Sequence, residues 1–251
     1  MSMDNGIAEL PNILAILAEK SPGNVFFKFI YHWENVIFSL VVVFILGILA
    51  FLGCRKRNLI PRSRLQVALE LIVEGLDDFV CGIMGPKGRK YTPFIGTLFV
   101  YILFMNLLGL VPYMKAATAS WSTTLALALC VFFYVQYTAI KELGFLGYLD
   151  HLAGKPRGVF AFTVIMPVFM LFLHIITELI RPISLSLRLR GNIWGDEILL
   201  SLLSSFGIKG FPLLFFNMGM ALLTAVVQAV VFCLLTTIYF ALVLDYEEEA
   251  A

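Results

Sequence analysis

Between Lys209 and Asp245 the chain carries no charged residue. As one α-helix, residues 210–244 would reach roughly 50 Å at about 1.5 Å per residue, well beyond a hydrocarbon core of about 30 Å. A run of this length has no way to hide its apolar surface in water, so its solvent must be a membrane. There it must either break or lie at a tilt steeper than the usual limit of about 40°. Residues 158–206 show the same excess of length. The sequence therefore predicts a matched pair of long, strongly inclined membrane helices.

The rest of the chain agrees with that solvent. Hydrophobic residues make up 60% of it and charged residues 14%, a balance that excludes an ordinary soluble domain. Apolar runs at 35–53, 93–112 and 121–140 are each close to the length one crossing needs. Residues 63–85 differ, because Glu70, Glu74, Asp77 and Asp78 recur at helical spacing among apolar residues. That pattern predicts an amphipathic helix on the cytoplasmic surface, with its carboxylates as a solvated face. The expected fold is an all-α integral membrane protein with five crossing helices and one surface helix. Residues 1–34 lack a basic region before their short apolar run and are expected to form a retained interfacial segment, while residues 245–251 form an acidic tail.

Sidedness follows from lysine and arginine in the short loops. Arg55, Lys56, Arg57, Arg62, Arg64, Lys87, Arg89 and Lys90 follow the first span, and Lys141, Lys155 and Arg157 precede the fourth. The opposite side holds only Lys20, Lys28, Lys115 and Lys209. The basic loops are expected in the cytoplasm, the N-terminus outside and the C-terminus inside. A net charge of +1 gives no basis for a nucleic-acid partner. The absence of a transit peptide favours a bacterial plasma (inner) membrane, although an organelle-encoded chain would look similar.

The fourth segment contains the costly residues. His174, Glu178, Arg181, Ser184, Arg188, Asn192 and Asp196 follow one another at steps of three or four, averaging about 3.67, close to the 3.6 residues of an α-helical turn. They share one face. Ser186 and Glu197 fall off its centre, and Arg190 points nearly the opposite way. An arginine in mid-membrane costs about 2.5–3.5 kcal/mol on insertion scales, so it faces protein, water or a partner charge. Arg181 could pair with Glu178 three residues earlier, and Arg190 could snorkel or pair elsewhere. Arg188 has no carboxylate three or four residues away on either side, so its partner must lie elsewhere in the chain or on another one. Carboxylates, histidine and amides can pass protons through bound water, whereas a guanidinium with a pKa above about 12 does not release one. It can hold a mobile carboxylate ionised and block direct proton flow.

Other chemistries find little support. Cys54, Cys81, Cys130 and Cys233 are scattered without metal-ligand spacing, no HExxH or GxSxG occurs, and the only histidines are His32, His151 and His174. Neither a metal nor a cofactor is expected. A self-contained transporter would need a complete binding site, usually with broken helices and repeats, and no internal repeat is evident. A structural scaffold would give no reason for the polar stripe.

The stretches "RPISLSLRLRGN" with "GDE" after it, "AVVQAVVFCLLTTIYFAL" and "NLLGLVPY" resemble the a subunits of F-type ATP synthases over nearly the whole chain. The resemblance implies a stator subunit, not itself the enzyme, that carries protons past the rotating c-ring. Partners would be the c-ring, the b-subunit peripheral stalk and the rest of the synthase. Arg188 matches the arginine that faces the ring's carboxylates. Asn192, Glu197 and Gln228, with Asp196 beside them, would line an outer half-channel. His174, Glu178, Arg181, Ser184 and Tyr239 would lie on the cytoplasmic side, with Ser184 and Ser186 toward the ring. Arg190 stands where the family commonly has an aromatic residue, and Ala221 where some relatives have histidine. Ser120 and Ser122 replace acidic or amide residues of the outer loop. Whether the coupling ion is H+ or Na+ depends on the c subunit.

Overall fold

The computed structural model describes residues 33–54, 64–111, 114, 118, 120–153, 160–204 and 206–250. Among these, the side chains of 53–54, 64–65, 143, 145–153, 160–168, 171, 175, 178, 204, 208–209 and 243–250 are not described. The expected interfacial segment before Trp33, the basic residues at 55–62 and those at 155 and 157 lie outside the described residues.

The described residues form helices and no strands. In chain order they are α1 (Glu34–Cys54), α2 (Arg64–Met84), a short 3-10 turn (Pro86–Lys90), α3 (Thr92–Gly109), α4 (Trp121–Ala153), α5 (Phe160–Ser204), a second 3-10 turn (Gly207–Gly210) and α6 (Phe211–Ala250). Among the described residues four stretches are long and apolar enough to cross a membrane: Glu34–Leu52, Thr92–Gly109, Trp121–Glu142 and Phe211–Leu242. Helix α5, which carries the polar stripe, is not among them. The backbone of α6 stays helical to Ala250, through the segment read from sequence as an acidic tail.

Two glycines mark where the chain changes direction. Gly144 has φ of 71° inside the run assigned to α4, a left-handed conformation that bends the helix where it passes the end of the apolar stretch. Gly207 has φ of 60° and opens the tight turn that folds α6 back along α5.

The interior lies where α3, α4, α5 and α6 meet. Ile95, Leu98 and Ile102 of α3 pack with Val131 and Val135 of α4, Leu185 and Leu189 of α5, and Phe232 and Phe240 of α6. Lipid tails are as apolar as leucine, so close fit rather than water exclusion holds such helices together. Small residues allow that fit: Ala128, Ala139, Ala225 and Ala229 are all buried. Tyr91 stacks on Phe240 with ring centroids 4.8 Å apart, and Phe94 lies 4.4 Å from Tyr134. Buried hydroxyls return to their own helix, with Thr236 donating to the Phe232 carbonyl and Thr237 to that of Cys233.

Helix α1 packs on α3 in a second, smaller cluster beside this core. Phe38 and Val42 pack on Met105, and the hydroxyls of Ser39 and Tyr101 lie 2.6 Å apart. Most of its other apolar side chains are exposed. Helix α2 is pinned through Asp77, which pairs with Arg89 at 3.2 Å and accepts a hydrogen bond from Thr92 at 2.9 Å. Both contacts hold α2 against the start of α3.

Candidate functional site

Helices α5 and α6 run antiparallel, and two polar contacts set their register. The Asn192 side-chain amide donates to Gln228 Oε1 at 2.7 Å. The Arg181 guanidinium lies over the ring of Tyr239, 4.8 Å from its centroid. The two contacts are the same number of residues apart on both helices, about three turns. Arg188 sits on α5 between them.

The side of α5 turned toward the other helices is closed. Pro182, Leu185, Ser186 and Leu189 are buried, and Ser186 donates to the Ile183 carbonyl at 3.0 Å. Ser186 is thus shut inside instead of sharing the ring-facing surface that the resemblance implied. Arg190, whose role the sequence left open, reaches α4 and lies over the indole of Trp121 at 5.2 Å. Arg181, Pro182, Leu185 and Tyr239 also line a small recess with Val131 and Val135 of α4.

The opposite side of α5 is open. Ser184, Leu187, Arg188, Gly191, Asn192 and Gly195 are all exposed. A β-carbon added at Gly191 or Gly195 would meet nothing within 4 Å. Arg188 has no ion pair, hydrogen bond or ring contact among the described residues. The small residues 184, 191 and 195 flank it, leaving a shallow lane in which another helix could approach closely.

The remaining stripe residues are spread along the same helix. His174 is half-buried, with Nδ1 3.1 Å from the Met170 carbonyl oxygen. The Glu178 side chain lies outside the described residues, so its expected pairing with Arg181 has no geometry here. Asp196 and Glu197 are both half-buried. Gln228 is 3% exposed, and its Nε2 is enclosed without an acceptor among the described residues. Among the described residues no group of three His, Cys, Asp or Glu could hold a metal ion.

Two buried amides escaped the sequence reading. Asn106, inside the "NLLGLVPY" stretch, accepts a hydrogen bond from Thr118 at 2.9 Å while its Nδ2 has no partner among the described residues. Asn217 is 3% exposed, with its Oδ1 enclosed and unpartnered among the described residues. Leaving such a group without a hydrogen bond costs about 1–3 kcal/mol, so each of these sites calls for water or a partner. The available signal was spacing: Asn217 and Gln228 are the two amides of the uncharged run, about three helical turns apart.

Comparison with known proteins gives a consistent result. The profile of the family described as ATP synthase A chain matches residues 36–241. ATP synthase subunit a of Protochlamydia amoebophila is 40% identical, with the match covering 98% of this chain and 93% of that protein. ATP synthase subunit a of Solidesulfovibrio magneticus is 38% identical over 94% of this chain and 96% of the relative. ATP synthase subunit a 1 of Crocosphaera subtropica is 38% identical over 84% and 88%.

Proposed function

The chain belongs to the ATP synthase A chain family, and from that membership we propose that it is the stator subunit that couples proton flow to rotation of a c-ring. The observation that carries this reading is Arg188, a cation in the middle of an apolar helix, exposed and unpartnered among the described residues, in a lane of small side chains. A charge left in that state within lipid is costly. A rotor carboxylate passing along the lane would complete it.

The mechanism follows from where each form of that carboxylate is stable. Beside Arg188 the ionised form is favoured, and in lipid the neutral form is favoured. The rotor group must gain a proton before leaving the arginine and lose it before returning. Arg188 does not release its own proton and therefore separates the two aqueous routes. Asn192, Asp196, Glu197 and Gln228 line the outer route, and the Asn192–Gln228 bond closes its inner end. His174, Glu178, Arg181, Ser184 and Tyr239 line the cytoplasmic one. Each charge crossing a potential of 100 mV releases about 2.3 kcal/mol, so several protons together can drive ATP synthesis in the attached head.

In this arrangement α5 is a fifth crossing helix, inclined together with α6 across a bacterial inner membrane. The N-terminus is outside and the C-terminus cytoplasmic. The partners are the c-ring, the b-subunit stalk and the rest of the synthase, and the coupling ion is H+ unless the ring's own ligands select Na+. The test is ATP-driven proton pumping by vesicles containing the assembled complex. Arg188→Ala abolishes pumping while Arg190→Ala retains it. Pumping that survives Arg188→Ala in an assembled complex overturns the proposal.

A further inference from the structure

The contacts Asn192–Gln228 and Arg181–Tyr239 define one edge of α6 that faces α5. Continued past Gln228 toward the start of α6, that edge carries Thr224, Ala221 and Asn217, all within about 40° of Gln228 at 100° per residue. The same register sets Thr224 opposite Asp196 and Asn217 opposite Leu203. Other faces of this half of α6 are large and open, with Phe215, Phe216, Leu222 and Leu223 exposed. The edge is therefore a narrow strip of small and polar side chains on an otherwise bulky apolar helix.

Two side chains at the ends of the strip are incomplete. Asn217 and Gln228 are each 3% exposed, and each has an enclosed polar atom without a partner among the described residues, Oδ1 in the first and Nε2 in the second. One needs a donor and the other an acceptor. Thr224, between them, makes no hydrogen bond among the described residues, although Thr236 and Thr237 farther along the helix both bond back to their own carbonyls. Water is the ligand that can serve a donor, an acceptor and a hydroxyl in the same file.

We propose that Asn217 and Thr224 are water-holding residues of the outer half-channel, carrying protons along the α6 edge to Gln228. This rests on the stator reading above. Each water in the file accepts a proton on one side and gives up another on the other side, so no bond is made or broken overall and no co-reactant is needed. Ala221, which adds no bulk between them, leaves space for the file.

The experiment introduces a thiol at one position at a time and measures ATP-driven proton pumping in vesicles of the whole complex, before and after adding silver ions. The wild type, with its native cysteines, sets the baseline. Asn217→Cys and Thr224→Cys lose most of their pumping to silver, whereas Phe216→Cys and Leu223→Cys, on the exposed apolar faces, respond like wild type. Silver sensitivity no greater at 217 and 224 than at 216 and 223 overturns the inference. Arg188→Ala is assayed in the same series: if it still pumps, the stator reading itself fails, and if it is inactive while the strip is insensitive to silver, only the water file fails. As a second measurement, Asn217→Leu reduces pumping several-fold and Asn217→Ser restores much of it. Equal pumping by Asn217→Leu and wild type also contradicts the proposal.

Discussion

Along α5 the same chemical group meets opposite surroundings. Arg181 and Arg190 each lie over an aromatic ring of a neighbouring helix, Tyr239 of α6 at 4.8 Å and Trp121 of α4 at 5.2 Å. On the open side, Arg188 lies between them in sequence and has no partner among the described residues. The packed side has leucine and proline in close contact, and the open side has serine and glycine. A guanidinium stacked on a ring is held in place by its own chain. One left free in a lane of small residues is a site that needs a second body, and this difference assigns the roles better than the count of arginines does.

The comparison breaks most sharply at Arg188. Its replacement by alanine removes the charge without removing packing, so pumping by the complex is lost while the thermal stability of the subunit is unchanged. The next largest effect is steric. A β-carbon at Gly191 meets nothing within 4 Å, and Gly191→Leu gains helix propensity of about 1 kcal/mol, so the subunit itself is expected to be no less stable. In the complex the same side chain fills the lane, and ATP-driven rotation and pumping fall severely. If a leucine there leaves rotation intact, the lane is not the ring's track.

On the packed side the expected effects are smaller and of a different kind. Trp121→Ala or Arg190→Ala removes a cation–π contact worth about 0.5–2 kcal/mol. Either change lowers the unfolding midpoint of the detergent-solubilised subunit, and the double substitution lowers it by less than the sum of the two, while pumping persists. The smallest effect belongs to the exposed pair Lys90–Glu142, whose charged atoms are 2.8 Å apart. The hydrogen bond to Glu142 raises the pKa of Lys90 above its ordinary value of 10.5. A raised folded-state pKa gives a contribution that is full below the unfolded value and fades as pH rises through the folded one. The stability difference between wild type and Glu142→Gln therefore shrinks in alkaline buffer, as thermal melts across that range will read.

How much of this was legible in the sequence depended on periodicity. The stripe from His174 to Asp196 follows a helix because its steps average close to one turn, and the apolar runs announced a helical membrane protein by composition alone. What one helix does to its neighbours was not readable. Ser186 has the same chemistry as Ser184, yet it is buried because α5 turns that side to the core. Arg190 departs from the family's aromatic residue, but nothing in its own helix pointed to Trp121, far away in the chain. Asn217 passed unremarked because one amide in an apolar run looks like packing until its oxygen is found enclosed without a donor. The bend at Gly144 likewise required the backbone angle.

The central claim is that Arg188 has no partner among the described residues because its partner belongs to the rotor. The most direct measurement is the structure of the assembled membrane sector, with the distance from the Arg188 guanidinium to the nearest carboxylate of any chain. The account predicts a rotor carboxylate facing Arg188 across the lane formed by Ser184, Gly191 and Gly195, within about 4 Å or through one water. An Arg188 paired with a carboxylate of its own subunit, with the lane turned to lipid, would contradict it.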